Sequence, residues 1–335
     1  MPGTYKAIGM NLKSSPMGEN DRLVTVLTRE QGLVRAIAPG SRKYQSSLRG
    51  RSGLFVINQL LLVQGKSLDK IIQAETLESF PGLSQDLKKL TAAQYLAELA
   101  LSQALSDQPQ NELFDHLSGY FHRLEEQPSP QALSLLVEGT FQLLALAGVA
   151  PQVSRCCVTQ QVVVPETTDP NWRIGFHSAI GGIVSLTSPP DHRQPQTADA
   201  EPLQANPGDR HPASEVTRDQ SAQGPLFSTA IAPRDSGYVR SGAASYRPRR
   251  GKGPSSATLE TTLTAVELML LQWLEHTTHA SGSNQEATST PASITPTFAK
   301  GVWLSIERVL RYHAQHHLER SIQSAALIDA CFAVP

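Results

Sequence analysis

The sequence has few cysteines and no long apolar run, and both absences narrow the class of protein. Its three cysteines, Cys156, Cys157 and Cys331, do not support a disulfide framework, because they are few and their number is odd. No stretch reaches the roughly 18 consecutive apolar residues that a membrane-spanning helix needs. The first residues, MPGTYKAIGMNLK, contain no apolar core of a signal peptide. We therefore expect a cytoplasmic protein with no membrane partner.

The motifs of the common enzyme classes are absent as well. The sequence contains no phosphate-binding G-x-x-x-x-G-K-[ST] loop, no G-x-G-x-x-G after a strand and no G-x-S-x-G nucleophile turn. The acidic pair Glu125-Glu126 lies at a predicted helix end, which is typical of a solvated surface. These patterns predict a protein that is not an enzyme.

The net charge of -1 hides an uneven distribution along the chain. Residues 1–80 carry 11 Lys and Arg against 6 Asp and Glu, whereas residues 81–186 carry 5 against 10. A polyanionic partner is therefore expected at the N-terminal part and not at the middle of the chain.

Five short β-type runs with Gly-rich turns predict a small barrel in the N-terminal region. The runs cover residues 5–12, 21–28, 33–38, 54–63 and 68–77. The OB-fold is the common five-stranded barrel. An SH3-like barrel has a similar pattern, and the pattern alone does not separate the two.

Apolar residues recur at helical spacing after Pro81-Gly82, which predicts a helical domain. Helices are predicted over residues 83–105, 111–124, 131–147, 259–276 and 297–312. Residues 187–258 hold 10 of the 23 prolines, which is typical of a disordered insertion. The predicted fold class is α+β and multidomain. Its parts are the barrel (1–80), the first helical part (83–150), an irregular or β-like insert (151–186), the disordered insertion (187–258) and the C-terminal helical part (259–335).

The candidate nucleic-acid site is the basic segment 29–51, whose six Lys and Arg face a single acid, Glu30. Residues 39–51 within it have the composition of a loop between strands. Cationic side chains there can contact phosphates while an aromatic ring stacks on a base. The predicted DNA-binding residues are Arg22, Arg35, Arg42, Lys43, Tyr44, Arg49 and Arg51.

A second basic group lies on the predicted C-terminal helix. His313 and His317 have the i, i+4 spacing that can hold a metal, but no glutamate completes an H-E-x-x-H pattern. A solvated basic face is the preferred interpretation. Its arginines are predicted to make secondary contacts with DNA or a partner: Arg308, Arg311 and Arg320.

The adjacent cysteines Cys156 and Cys157 suggest a zinc site that is incomplete. A structural zinc site uses two C-x-x-C-like pairs, and neither cysteine has another three residues away. Ser185 and Ser188 stand where a second pair is expected, and neutral serines are poor zinc ligands. We predict a degenerate site with no bound metal, no cofactor and two buried thiols.

These segments together resemble the RecO family of bacterial recombination mediators. The resemblance covers about residues 4–186 and returns weakly over 309–328. The matching segments are 17–24, 27–43, 62–68, 73–75, 79–80, 94–99 and 148–151.

The resemblance implies an N-terminal OB-fold followed by a helical domain with an embedded zinc-finger-like insert. The family binds single-stranded and double-stranded DNA, anneals complementary strands and, with RecR and single-strand-binding protein, loads the RecA recombinase. Its basic loop falls on Gly40–Arg51 here. Its cysteine pairs fall on Cys156 or Cys157, Thr159 or Gln160, Ser185 and Ser188, so at least two zinc ligands are lost. The implied location is the bacterial cytoplasm, in association with the nucleoid.

Two other functions stay open at this point. The chain can be an adaptor whose basic loop docks an acidic tail such as that of single-strand-binding protein. It can also be an RNA-binding OB module, because stacking and phosphate contacts tolerate both sugars.

Overall fold

The computed structural model of the chain describes residues 3–186, 261–281 and 298–332. The predicted disordered insertion, residues 187–258, and Ser188 lie outside the described residues. The described residues belong to one unit, formed by Met1–Pro190 and Thr258–Pro335. The boundaries between the smaller domains stay predictions.

Five strands close into a barrel in the order β1-β2-β3-β5-β4, in which only the β3–β5 pair is parallel. Their bounds are Thr4–Met17 (β1), Asp21–Thr28 (β2), Gly32–Ala38 (β3), Val56–Val63 (β4) and Asp69–Ser79 (β5). A short helix, α1 (Leu48–Arg51), lies between β3 and β4. This strand order is that of the OB-fold, so the predicted barrel is confirmed.

Side-chain alternation determines which face of each strand points into the barrel. Val34, Ala36 and Ala38 of β3 are buried, whereas Arg35 between them is exposed. The same period of two buries Val24 and Val26 of β2. The inward set forms a separate apolar cluster, which Leu48 of α1 also joins.

The helices that follow the barrel in the described part of the chain build the layer that packs against it. They are α2 (Pro81–Gln85), α3 (Leu87–Gln103), α4 (Asn111–Glu126), α5 (Ala132–Leu146), α6 (Ala265–Ser281), α7 (Lys300–His317) and α8 (Ala325–Phe332). Barrel residues Met10, Leu12 and Phe55 belong to the same apolar core as these helices. Among the described residues, no helix has the length and apolarity needed to cross a membrane.

The prediction of a helix beginning at Leu259 is wrong at its start. Thr261–Thr264 form a strand (β8), and the helix begins only at Ala265. β8 pairs with β6 (Arg173–His177), which also pairs with β7 (Gly182–Val184). Thr264 and Glu267 form a reciprocal capping box at the start of α6. Segment 151–186 is thus joined to the C-terminal part by a sheet whose strands lie far apart in sequence.

Candidate nucleic-acid interface

The basic loop between β3 and β4 is anchored to the barrel at its two ends and at Leu48. Leu48 is buried in the barrel core, and the serines Ser41 and Ser52 at the two ends of the loop are buried as well. The anchored loop holds its charged side chains over a defined part of the barrel.

Two buried asparagines fix the C-terminal end of α1. Asn11 Nδ2 donates to the carbonyl oxygens of Arg51 (2.7 Å) and Gly53 (2.9 Å), and Asn58 Nδ2 also donates to Arg51 (2.9 Å). Sequence reasoning missed this pair. The sequence did contain a sign of it, because one polar side chain stands within each of two apolar strand runs. A buried amide needs hydrogen-bond partners, so such a residue is expected to bond to another part of the chain.

Three of the predicted arginines meet where this loop contacts the β1–β2 turn. Arg22 Nη1 donates to the carbonyl of Arg49 (3.4 Å) and to Ser52 Oγ (3.3 Å). Arg42 Nη1 donates to the carbonyl of Gly18 (2.8 Å), which lies in the turn. The structure thus brings Arg22, Arg42 and Arg49 to one end of the barrel.

An exposed aromatic ring accompanies these cations. Tyr44 is 85% exposed, and the guanidinium of Arg49 lies 5.3 Å from the centre of its ring. Arg35 lies elsewhere: it is on the outer face of β3, opposite Thr25 of β2. Arg35 therefore extends the basic surface along the outer wall and does not join the loop cluster.

A groove of about 750 Å³ begins at this cluster and runs between the barrel and the helical layer. Arg22 and Arg42 line it on the barrel side, and Pro81, Leu90 and Gln94 line it on the helical side. The groove therefore adjoins two cations of the cluster, Arg22 and Arg42, and extends from them to the helical layer.

Carboxylates do not neutralise the cluster. Within residues 3–186, 261–281 and 298–332, no carboxylate lies within ion-pair distance of the six predicted cations. The nearby Asp21 instead accepts the backbone N–H of Gly40 (2.7 Å). Arg29, by contrast, pairs with Asp115 (2.5 Å) and is not available for a phosphate.

The side chains at the degenerate cysteine site do not fit a zinc ion. Cys156 is buried, and its Sγ accepts the backbone N–H groups of Ser185 (3.3 Å) and Thr159 (3.5 Å). Burial raises the pKa of this thiol, but the hydrogen bonds from Thr159 and Ser185 outweigh burial and lower it overall. Over the described ranges, no group of three or more His, Cys, Asp or Glu side chains is arranged to hold a metal.

Hydrogen bonds to helix α6 hold segment 151–186 in place. Gln272 of α6 donates Nε2–H to the carbonyls of Val153 and Val163, both at 3.0 Å, and Ser154 bonds to Glu275. Cys157 is half-buried and not fully buried as predicted. Burial and then the neighbouring Cys156 raise the pKa of Cys157.

The predicted solvated basic face on α7 is wrong for two of its residues. Arg311 is buried and binds Asp329 with two hydrogen bonds (2.8 and 2.9 Å) and Glu307 with one (2.7 Å). His313 is also buried and donates Nε2–H to the carbonyl of Val149 (2.8 Å). Arg308 and Arg320 are exposed as expected. Spacing alone did not show which side of α7 packs against the core.

The buried carboxylate Glu307 titrates in an unusual range. Burial raises its pKa to about 7, and the opposing effect of Arg311 is smaller. Arg311 stays charged because its hydrogen bonds with Asp329 raise the pKa of the guanidinium. Asp329 has a lowered pKa because Arg311 donates hydrogen bonds to it. Glu307 is therefore the member of the trio that gains or loses a proton near neutral pH.

The free energy of unfolding is expected to carry a contribution from Glu307 that falls as the pH rises from 4.5 to about 7. In this window the folded protein holds a proton that the unfolded chain has lost, so the contribution amounts to about 3 kcal/mol. Urea denaturation across the window measures it. Glu307→Gln is expected to remove this slope, whereas the exposed control Glu126→Gln keeps it. A Glu307→Gln profile parallel to the wild-type profile would contradict the assignment.

The sequence matches two family models and many curated proteins. The model described as Recombination protein O N terminal matches residues 1–80, and the one described as Recombination protein O C terminal matches residues 84–200. A DNA repair protein RecO of Acaryochloris marina is 47% identical over 332 residues, which is 99% of this chain and 96% of that protein. Proteins of the same name from Cyanothece sp. and Nostoc sp. are 46% and 45% identical over 99% of this chain and 98% of each relative.

Proposed function

The chain belongs to the RecO family of DNA repair proteins, and from this premise we propose that it binds single-stranded DNA at the barrel end and anneals complementary strands. Double-stranded DNA is proposed as a further ligand. We also propose that the protein works with RecR and with single-strand-binding protein to load the RecA recombinase. The protein acts by binding and makes or breaks no covalent bond.

The observation that carries the proposal is a group of cations that have no carboxylate partner among the described residues and that lie beside an exposed aromatic ring. Arg22, Arg42 and Arg49 lie together at the barrel end, and Tyr44 presents its ring to solvent next to Arg49. Phosphates bound there release counterions, which favours binding at low salt. A base stacked on tyrosine contributes about 1–3 kcal/mol without selecting a sequence.

Annealing follows from the same contacts. Two complementary strands repel each other through their phosphates, and cations of the protein reduce this repulsion when both strands are held on one molecule. The groove between barrel and helices leaves the bases accessible, because the predicted contacts are made to phosphates and to one stacked base. Binding is therefore expected to be insensitive to sequence.

Arg42→Gln/Lys43→Gln is expected to weaken binding of an unstructured oligothymidylate by roughly tenfold at low salt, because two phosphate contacts are lost. The slope of log affinity against log salt concentration is expected to become less steep by about 1.4, at 0.7 per contact for a single strand. Fluorescence anisotropy over a range of salt concentrations measures both quantities.

A matched control is Arg155→Gln/Arg173→Gln, which removes two exposed positive charges outside the barrel. This variant is expected to keep the wild-type salt slope. If both double variants lose affinity equally, binding depends on total charge, and the barrel end is not the site. Competition with an RNA of matched sequence separates DNA binding from the alternative of an RNA-binding module.

An adaptor function is the second candidate, and the apolar lining of the groove favours it. Leu54, Phe55, Phe80 and Leu90 line the same groove as Arg22 and Arg42, a combination that suits an acidic peptide with apolar side chains. Titration with the tail peptide of single-strand-binding protein tests this function. Peptide binding without DNA binding would favour the adaptor over the annealing protein.

A further inference from the structure

Helix α7 exposes a row of three side chains that the barrel site does not use. Arg308, Tyr312 and His316 are spaced four residues apart, so they lie on one face of the helix, with roughly 6 Å of rise between neighbours. All three are exposed, and Tyr312 is 67% exposed. An exposed aromatic ring between an arginine and a histidine suits a ligand that has both a flat aromatic ring and a negative charge.

The row lines a cleft of about 590 Å³, which we call the α7 cleft. The buried residues Phe176 and Ser178 and the exposed Thr261 of β8 line the cleft together with α7. Among the described residues that line it, none is acidic. The cleft therefore favours a ligand that carries both negative charge and a flat apolar surface.

Hydrogen bonds on the buried side of α7 hold the cleft in shape. His317 donates Nε2–H to the carbonyl of Ser178 (3.0 Å), and His313 donates to the carbonyl of Val149 (2.8 Å). The rings of His313 and Phe176 meet edge to face with centres 5.8 Å apart. A site that is already shaped loses little conformational entropy when a ligand binds.

We propose that the α7 cleft binds a second strand of single-stranded DNA, with a base stacked on Tyr312 and phosphates bound by Arg308 and His316. The row extends about 12 Å along the helix, whereas stacked bases repeat about every 3.4 Å, so it spans more than one nucleotide. The inference rests on the proposed function, in which one protein molecule holds both strands during annealing. Arg311 and Arg320 are not part of this site, since Arg311 is buried and Arg320 lines a different cavity.

The test compares the full-length wild type with Arg308→Gln/Tyr312→Ala. Loss of one stacked base and one phosphate contact is expected to slow annealing of complementary oligonucleotides by roughly tenfold, at the lower end of the 1–3 kcal/mol range for stacking. Affinity for a single limiting oligothymidylate is expected to change by less than about twofold, because the barrel site binds the first strand. Tyr312→Phe keeps the ring and is expected to anneal at the wild-type rate.

Two further measurements make the test specific. An oligothymidylate containing 5-iodouracil, in excess over protein, is expected to photo-cross-link at Tyr312. Arg155→Gln removes an exposed charge outside the cleft and outside the barrel, and is expected to anneal normally. Thermal unfolding of each variant shows that the fold is retained.

One outcome would overturn the second-strand site and leave the barrel site in place. In it, Arg308→Gln/Tyr312→Ala anneals at the wild-type rate, whereas Arg42→Gln/Lys43→Gln is slowed. The site is also overturned if free thymidine monophosphate binds the cleft as tightly as the oligothymidylate does. Unchanged single-strand affinity in Arg42→Gln/Lys43→Gln is a different outcome, because it contradicts the proposed function itself.

Discussion

Gly32→Ala is expected to destabilise the protein by about 4 kcal/mol, the sum of backbone strain and lost hydrogen bonds. Gly32 has a φ of +64°, and a Cβ atom added there lies 2.1 Å from the carbonyl oxygen of Leu105 and 2.5 Å from that of Gln108. Both contacts are to backbone, so no side-chain rotation relieves them. The chain between α3 and α4 has to move away from the barrel.

The displaced segment carries the hydrogen bonds that join barrel and helices. Leu33 donates its N–H to Leu105 (2.8 Å), Asp107 donates to Gln31 (3.0 Å), and Gln110 donates to Arg29 (2.9 Å). Gly18→Ala is the matched control, because Gly18 has a similar φ of +59° and nothing lies within 4 Å of the added Cβ. This control is expected to cost about 1 kcal/mol. Urea denaturation measures both, and equal losses would show that the close approach at Gly32 is unimportant.

Arg311→Met is expected to lower the free energy of unfolding by about 3 kcal/mol at pH 8, because the buried Glu307 loses the cation that forms an ion pair with it. The loss is expected to be smaller at pH 5, since Glu307, whose pKa is raised to about 7, is then protonated in the folded protein. Arg311 also ties α8 to α7 through Asp329. Unfolding in urea at the two pH values measures the difference.

The double variant Arg311→Met/Glu307→Leu serves as the control for buried charge. It removes the uncompensated carboxylate and is expected to recover part of the stability at pH 8. Arg308→Met, at an exposed position three residues earlier, is expected to stay within about 0.5 kcal/mol of wild type. If Arg308→Met and Arg311→Met cost the same, the ion-pair trio does not stabilise the fold.

Local patterns were sufficient for the strands of a small barrel and for the first helices, whereas only the pairing of the strands separated an OB-fold from an SH3-like barrel. Apolar and charged residues alternate in segments such as Val34, Arg35, Ala36, and this alternation indicates a β-strand. The side chains of a strand point to opposite faces in turn, so the charge lies outside and the methyl groups lie inside. Apolar side chains at helical spacing likewise located α3, α4 and α5 to within a few residues of their bounds. The basic loop was visible because its excess of charge lies in one short stretch of chain.

Contacts between distant segments were not visible in any local pattern. β8 forms only because Thr261–Thr264 meet β6 across the long insertion, and without that pairing the same residues look like the start of a helix. The roles of Asn11 and Asn58 depend on the carbonyl of Arg51, which lies 40 and 7 residues away in sequence.

The sequence by itself determined most of the strands and helices and the stretch of chain that carries the positive charge, since each depends on neighbours within a few residues. The tertiary structure alone decided that Arg311 is buried and Arg308 exposed, that Arg35 lies apart from the loop cluster, and that Tyr312 faces a cleft. The physical reason is that helical spacing defines which residues share a face. Only packing against other segments determines which of those faces is covered.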